Sequence, residues 1–243
     1  MTSSRKFILR LDIIEERSHL KESPSKGLFI QPGTFLSALG TLLLIFVVTT
    51  VTLCPPAAAS AVGVNGILEL SAVNGDYGVV FNGPTANGQA GRGVAYLNDI
   101  NGDGLADYAI VAPGLGTVYV GFGGTTFTSP IELSTFVGGT TNGFRITGLS
   151  TNTVIRGTTV SAIGDVNNDG FFDFLVGDPR ALSSRGKCYI LYGRQVWPSS
   201  IDVTSLSITD GIILNGAAAY DGAGSSVSYV GDINGDGIPD MII

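Results

Sequence analysis

Three segments of this 243-residue chain share one pattern and recur at nearly constant intervals. They are GVAYLNDINGDGLADYAIVAP (93–113), TVSAIGDVNNDGFFDFLVGDP (159–179) and SVSYVGDINGDGIPDMII (226–243). The first loop aspartates, Asp99, Asp165 and Asp232, lie 66 and 67 residues apart. Such a period predicts units that stack on their neighbours, because a single unit of this size cannot bury both of its faces.

Short segments rich in β-branched and aromatic residues recur in phase with these loops. They are ILELS (67–71), IELS (131–134) and IDVTS (201–205); VVFNG (79–83), FRITG (144–148) and IILNG (212–216); and GTVYVGFG (116–123) and GKCYILYG (186–193). Each unit is thus predicted to contain about four short strands separated by Gly turns. Glycine provides 35 residues and charged residues only 14%, which disfavours a helical bundle. The sequence predicts an all-β protein.

The three loops have the form D-x-N-x-D-G-x-x-D and carry the main functional signal. Side chains at positions 1, 3, 5 and 9 offer hard oxygen donors, the Gly at position 6 permits a sharp turn, and position 7 offers a backbone carbonyl. Oxygen ligands in this number suit Ca²⁺, and the loops have no thiolate or imidazole for zinc or copper. The candidate ligands are Asp99, Asn101, Asp103, Leu105 and Asp107; Asp165, Asn167, Asp169, Phe171 and Asp173; and Asp232, Asn234, Asp236, Ile238 and Asp240.

Asn-Gly and Asp-Gly also occur in ordinary solvated hairpin turns, which is the alternative interpretation of each loop taken alone. Three copies in phase favour a cation, because nearby carboxylates repel one another unless a cation lies among them. An EF-hand would need a bidentate acid at position 12. That position is Ile110, Val176 and Ile243 in the three copies, so each loop is predicted to join two strands.

Composition excludes several function classes. Residues 62–243 contain seven basic and sixteen acidic residues, which argues against a nucleic-acid surface. The chain has one His and two Cys, far apart, and no nucleophile–base pair or phosphate loop, so we expect no enzymatic activity. Cys188 is predicted to be a small core residue, and Trp197 a packed loop anchor rather than a ligand contact.

The N-terminal 61 residues have no counterpart in the repeat. Residues 35–54 are free of charge and long enough for a transmembrane helix, and they follow a leader, 1–34, with six basic residues that is predicted to be cytosolic and disordered. Residues 55–61, PPAAASA, contain a small-x-small site after which a signal peptidase could cleave. Anchor and cleaved signal both remain open, and both place residues 62–243 outside the cell or in the lumen.

With these motifs the chain resembles the FG-GAP repeats of the integrin α-subunit N-terminal region over about residues 62–243. The matching segments are Gly224–Val227, Gly231-Asp232, Ala112-Pro113 and Gly116–Gly123, whereas Gly177-Asp178-Pro179 departs from the family's G-A-P. The resemblance implies β-propeller blades with calcium in a hairpin loop on one face. Residues 62–243 hold about 2.8 units, the third cut short at Ile243, so we expect a partial propeller or a fragment of one that closes with seven blades.

The expected function is therefore an extracellular calcium-binding module for adhesion or ligand binding, with a protein or glycan partner and no nucleic acid. The membrane would be a further partner if the N-terminal helix is uncleaved. Two alternatives remain open. One is the non-catalytic propeller part of a larger secreted enzyme of the phospholipase D type, and the other is a lectin-like structural module.

Overall fold

The computed structural model describes residues 6–8, 78–136, 142–151 and 157–243. All described residues except Gly78 belong to one compact unit. The hydrophobic run 35–54, the segment 55–61 and the leader apart from residues 6–8 lie outside the described residues. Within the described ranges, no helix has the length and apolar character needed to cross a bilayer.

The described part of the chain consists mainly of short strands. They are β1 (Lys6–Ile8), β2 (Val80–Asn82), β3 (Gly93–Asn98), β4 (Asp107–Ala112), β5 (Thr117–Gly121), β6 (Ile131–Glu132), β7 (Gly143–Thr147), β8 (Thr159–Gly164), β9 (Asp173–Asp178), β10 (Lys187–Leu191), β11 (Ser200–Asp202), β12 (Gly211–Asn215), β13 (Ser228–Gly231) and β14 (Asp240–Ile242). The helical segments among these residues are 3₁₀ turns at Ala86–Gly88, Pro113–Leu115, Leu133–Thr135 and Val203–Ser205. Ala181–Ser184 forms a short turn in which Leu182, Ser183 and Ser184 have left-handed φ. For the described residues, the prediction of an all-β protein is confirmed.

Two antiparallel four-stranded meanders form the centre of the fold. The first sheet runs β3-β4-β5-β7, and the second runs β8-β9-β10-β12. Strands β13 and β14 form a third, two-stranded sheet, and β1, β2 and β6 form a further one. The predicted four antiparallel strands are present in both of these sheets, and β11 adds a fifth strand to the first. The two-stranded sheet agrees with the predicted partial third unit, while closure of such sheets into a propeller stays a prediction.

The sheets share cores because their central strands are buried on both faces. Every residue of β4, β5 and β9 is buried. Side chains alternate between the faces of a strand. Ala109 and Val111 of β4 thus join a core shared with the second sheet, whereas Tyr108 and Ile110 join a core on the opposite face. Leu175 of β9 likewise faces away from the shared core, toward a third cluster that includes residues of the last sheet. Each sheet thus buries its faces against neighbouring sheets, as predicted for repeat units that cannot bury both faces alone.

Two strands leave their own unit and join the preceding sheet. Strand β11, from the predicted segment 201–205, pairs in parallel with β7 of the first sheet, with Ile201 opposite Ile146. Strand β6, from segment 131–134, pairs in parallel with β2. Segment 144–148, which precedes the second Asp loop in sequence, closes the sheet of the first loop as β7. The sequence repeat and the structural sheet are therefore out of phase, and the offset strands tie consecutive units together.

Candidate metal centre

Each D-x-N-x-D-G-x-x-D segment lies between the first two strands of a sheet. We call Asp99–Asp107, Asp165–Asp173 and Asp232–Asp240 the first, second and third Asp loops. They join β3 to β4, β8 to β9 and β13 to β14, and the two strands that each loop joins pair with one another in antiparallel fashion. The glycines at position 6 have φ of +84°, +92° and +86°, in the left-handed region that glycine adopts without strain. The predicted sharp turn between two strands is confirmed.

In the first Asp loop, side-chain oxygens receive the backbone N–H groups of the turn. Asp99 Oδ1 accepts from the N–H groups of Gly102 (2.7 Å) and Asp103 (3.1 Å), and Asp99 Oδ2 accepts from that of Gly104 (2.8 Å). Asn101 Nδ2 donates to Asp103 Oδ2 at 2.9 Å. Asp103 Oδ1 accepts from the N–H of Leu105 at 2.8 Å. Positions 1, 3 and 5 are therefore organised around one curled segment of backbone.

The other two loops repeat this arrangement closely. Asp165 Oδ2 accepts from the N–H of Gly170 at 2.8 Å, and Asp232 Oδ2 accepts from that of Gly237 at 2.8 Å. Asn167 and Asn234 donate to the position-5 carboxylates at 2.8 and 3.0 Å. In the third loop, backbone N–H groups that donate to Asp232 hold its pKa below the usual value, and the N–H of Gly237 has the largest effect. One hydrogen-bond pattern in three places shows that the loops are built alike.

The position-9 aspartates face inward, and sequence reasoning did not anticipate their role. Asp107 is 1% exposed, with Oδ2 accepting from Ile100 N (2.8 Å) and Oδ1 from Gly123 N (2.8 Å). Asp173 is 0% exposed and holds Val166 N and Gly193 N in the same way, at 2.8 and 2.7 Å. Each carboxylate thus fastens its loop to the end of the third strand of the same sheet.

The third loop lacks half of this fastening. Asp240 Oδ2 accepts from Ile233 N at 2.9 Å, and within the described residues its second oxygen has no such partner. Asp240 is also only partly buried.

Among the described residues, the negative charge of the loops is not balanced by ion pairs with basic side chains. The pKa of Asp107 is raised to about 6, mainly by burial; its two backbone hydrogen bonds lower the pKa, and the Asp103 and Asp99 carboxylates raise it. Asp173 has a pKa raised to about 6 for the same reasons. In the described part of the chain, no Lys or Arg forms an ion pair with a loop carboxylate. Hard oxygen donors with unbalanced charge suit a divalent cation.

The carboxylates of a loop nevertheless point to backbone N–H groups rather than to one another. Within residues 6–8, 78–136, 142–151 and 157–243, no three or more His, Cys, Asp or Glu side chains are placed together to hold a metal ion. The donor chemistry of the predicted ligands therefore fits calcium, whereas their assembly into a coordination shell stays a prediction.

Two residues outside the loops behave as predicted. Cys188 is 1% exposed in β10, and burial raises the pKa of its thiol to about 11. Trp197 stacks on Phe144 with ring centroids 4.4 Å apart and 10° between planes, and its Nε1 donates to the Ile100 carbonyl at 3.3 Å. Trp197 is thus a packed loop anchor that also contacts the first Asp loop.

Comparison with known proteins finds similarity to two kinds of FG-GAP-containing chain. The chain is 30% identical to integrin alpha-4 of Xenopus laevis over 148 residues, which is 60% of this chain and 13% of the relative. It is 36% identical to integrin alpha-8 of Mus musculus over 81 residues, 33% of this chain and 8% of the relative.

A relative of another kind is the phosphatidylinositol-glycan-specific phospholipase D of Mus musculus, 29% identical over 157 residues, 60% of this chain and 17% of the relative. No protein-family model matches the chain. The matches span less than a fifth of the length of each of these relatives, and they confirm the resemblance inferred from the loops.

Proposed function

From its similarity to the FG-GAP repeats of integrin α chains, we propose that the repeat region of this chain is an extracellular, non-enzymatic module whose Asp loops bind calcium. Calcium would be held by the side-chain oxygens at positions 1, 3, 5 and 9 and the carbonyl at position 7 of each loop. Ordered by the cation, the sheets would present their exposed loops to a protein or glycan partner, as in adhesion.

The observation that supports this proposal most directly is the uncompensated charge of three loops built alike. A single loop of this kind is explained by a hairpin turn alone. Three copies that share the hydrogen bond from the position-6 N–H to the position-1 carboxylate, in a region with a surplus of nine acidic residues, are better explained by a shared ligand of opposite charge. A divalent cation bound by the folded loop then adds stability in proportion to the logarithm of its concentration.

Calcium is therefore expected to raise the melting temperature of the unmodified chain. With a Kd of about 10⁻⁴ M and about 2 mM Ca²⁺, each occupied loop would add roughly 1.5–2 kcal/mol. Asp169→Ala should reduce this gain and change the melting temperature little in excess chelator, because Asp169 is exposed. Differential scanning calorimetry in calcium and in chelator measures both. Equal melting temperatures of the unmodified chain in the two buffers would show that the loops are ordinary turns.

A second candidate function rests on the match to the phospholipase D relative. Here the repeats would be the non-catalytic propeller part of a larger secreted enzyme. This candidate keeps the calcium loops and changes the partner from an external ligand to a catalytic domain. Sequencing the gene beyond Ile243 separates the two, since further FG-GAP units and a stalk favour adhesion, whereas a domain with His and Asp metal ligands favours the enzyme.

The repeat region is expected to be translocated across the membrane. Six basic residues precede the charge-free run 35–54, and the first basic residue after it is Arg92. That asymmetry orients the segment after the run away from the cytosol. When the full chain is translated into sealed microsomes, residues 62–243 should survive added protease and be cleaved once detergent opens the vesicles. Cleavage before detergent would contradict the proposed location.

A further inference from the structure

The first and second Asp loops belong to different sheets, yet they share one backbone segment. Ile100, the second residue of the first loop, is fully buried. Its carbonyl accepts from the backbone N–H of Arg194 at 3.0 Å and from Trp197 Nε1 at 3.3 Å. Both donors lie just after β10 of the second sheet. The first loop is therefore held by the sheet that carries the second.

The same segment holds the second loop. Gly193, next to Arg194, donates its N–H to Asp173 Oδ1 at 2.7 Å. Ile100 in turn donates to Asp107 Oδ2 at 2.8 Å. A continuous path of hydrogen bonds thus runs from Asp107 through Ile100 and the 193–194 backbone to Asp173, and it joins the position-9 carboxylates of the two loops.

Close packing gives the path little freedom. A Cβ at Gly193 would lie 2.6 Å from Phe171 Cβ and 3.2 Å from the Ile100 carbonyl oxygen, so this segment fits tightly between the loops. A Cβ at Gly102, position 4 of the first loop, would lie 2.8 Å from the ring of Phe171, position 7 of the second. Densely packed groups pass a displacement to their neighbours rather than absorbing it. Because of these contacts, the position of either loop limits the positions open to the other.

Side chains anchor the shared segment to the second sheet. The Arg194 guanidinium lies 5.0 Å from the centre of the Trp197 ring and pairs with Asp210 at 2.6 Å. Trp197 itself packs on Phe144 of the first sheet and, at 6.0 Å and 44°, on Phe174 of the second. These contacts hold the segment in one position between the two sheets.

The third loop offers an internal comparison. At Gly235, which occupies the position of Gly102, an added Cβ would meet nothing within 4 Å among the described residues. A contact with the second sheet is made by Pro239, whose Cγ would lie 2.6 Å from a Cβ at Gly164, outside the second loop. Among the described residues, the third loop thus has no counterpart of the contacts that the Ile100 carbonyl and Gly102 make with the second sheet and the second loop.

We infer that the first and second Asp loops bind calcium cooperatively, and that Trp197 and the 193–194 backbone are positioning elements that couple them. The inference rests on the proposed calcium binding. A cation that orders either loop fixes the shared segment in the position that the other loop needs. The second cation therefore binds with a smaller loss of conformational entropy. Because such coupling is reciprocal, each loop should raise the affinity of the other by the same factor.

Calcium titration of the full chain, followed by hydrogen exchange of peptides covering each loop, gives a separate midpoint for each loop. Asp103→Ala should raise the calcium midpoint of the second loop about fivefold or more, and Asp169→Ala should raise that of the first loop equally. Asp236→Ala, in the third loop, should leave the first-loop midpoint unchanged. Trp197→Phe keeps an aromatic ring but removes the N–H donor to the Ile100 carbonyl. In this variant, the ratio by which Asp103→Ala raises the second-loop midpoint, and Asp169→Ala the first-loop midpoint, should fall toward one.

The outcomes separate this inference from the function beneath it. In one outcome, calcium protects both loops while the calcium midpoint of each loop is unchanged by the substitution in the other loop. That result would overturn the coupling and leave calcium binding intact. If calcium protects none of the three loops in the unmodified chain, the proposed function fails and the coupling fails with it. If Trp197→Phe leaves these midpoint shifts unchanged, the inferred role of Trp197 is wrong, and the coupling itself is still supported by the reciprocal shifts.

Discussion

Asp173→Ala is expected to lower the free energy of unfolding by about 3 kcal/mol or more, with or without calcium, because it leaves one buried and one part-buried N–H group without an acceptor. Asp173 is 0% exposed and receives the N–H groups of Val166 and Gly193. Each unpaired buried donor costs roughly 1–3 kcal/mol, and the cavity left by the side chain adds to this. Urea unfolding in chelator, followed by far-UV circular dichroism, measures the loss.

The repeat itself supplies the control for this substitution. Asp240 occupies the same position of the third loop, but it is partly exposed and holds the N–H of Ile233 alone among the described residues. Asp240→Ala should therefore cost clearly less than Asp173→Ala in chelator. Equal costs would contradict the fastening role, and a loss at Asp173 confined to calcium buffer would mean that the residue acts as a metal ligand alone.

Phe174→Ala is expected to cost about 3–5 kcal/mol, because it removes a large side chain from the core between the first and second sheets. Phe174 is 0% exposed and belongs to the cluster that contains Val111 of the first sheet and Tyr189 of the second. It also packs on Trp197. Calcium should not restore the loss, since no loop donor is changed. Urea unfolding in chelator and in calcium tests both statements.

Phe172 is the matched control for the core substitution. It lies two residues away, has the same side chain and is 41% exposed. Phe172→Ala should cost about 1 kcal/mol or less, because little apolar area returns to water. If the two substitutions cost the same, the packing between the sheets described above does not carry the stability of the repeats.

Local sequence was sufficient for the hairpins. Apolar residues on both sides of each Asp loop, with Gly at position 6, predicted a tight turn between two strands, and all three hairpins have that form. These features depend on residues within about ten positions of one another, where turn chemistry and strand propensity act directly. Burial of Cys188 followed equally from its place in an apolar strand.

Partners distant in sequence could not be identified in this way. Strand β11 pairs with β7 across more than fifty residues, and nothing in IDVTS marks it as an addition to the preceding sheet. Position-9 aspartates looked like ligands equivalent to those at positions 1 and 5. Their inward position depends on hydrogen bonds from Gly123 and Gly193, which lie sixteen and twenty residues away, just after the third strand of each sheet.

The sequence by itself determined the class of the fold, the three loops, their oxygen-donor chemistry and their likeness to FG-GAP repeats. Each of these follows from a local pattern that is present in three copies. Only the tertiary structure decided which aspartates are exposed and which are fastened inside, and that the first loop lies against the second through Ile100, Gly102 and Phe171. The physical reason is that burial and contact between sheets are properties of packed surfaces. Such surfaces come into being only when stretches of chain 60 or more residues apart are brought together.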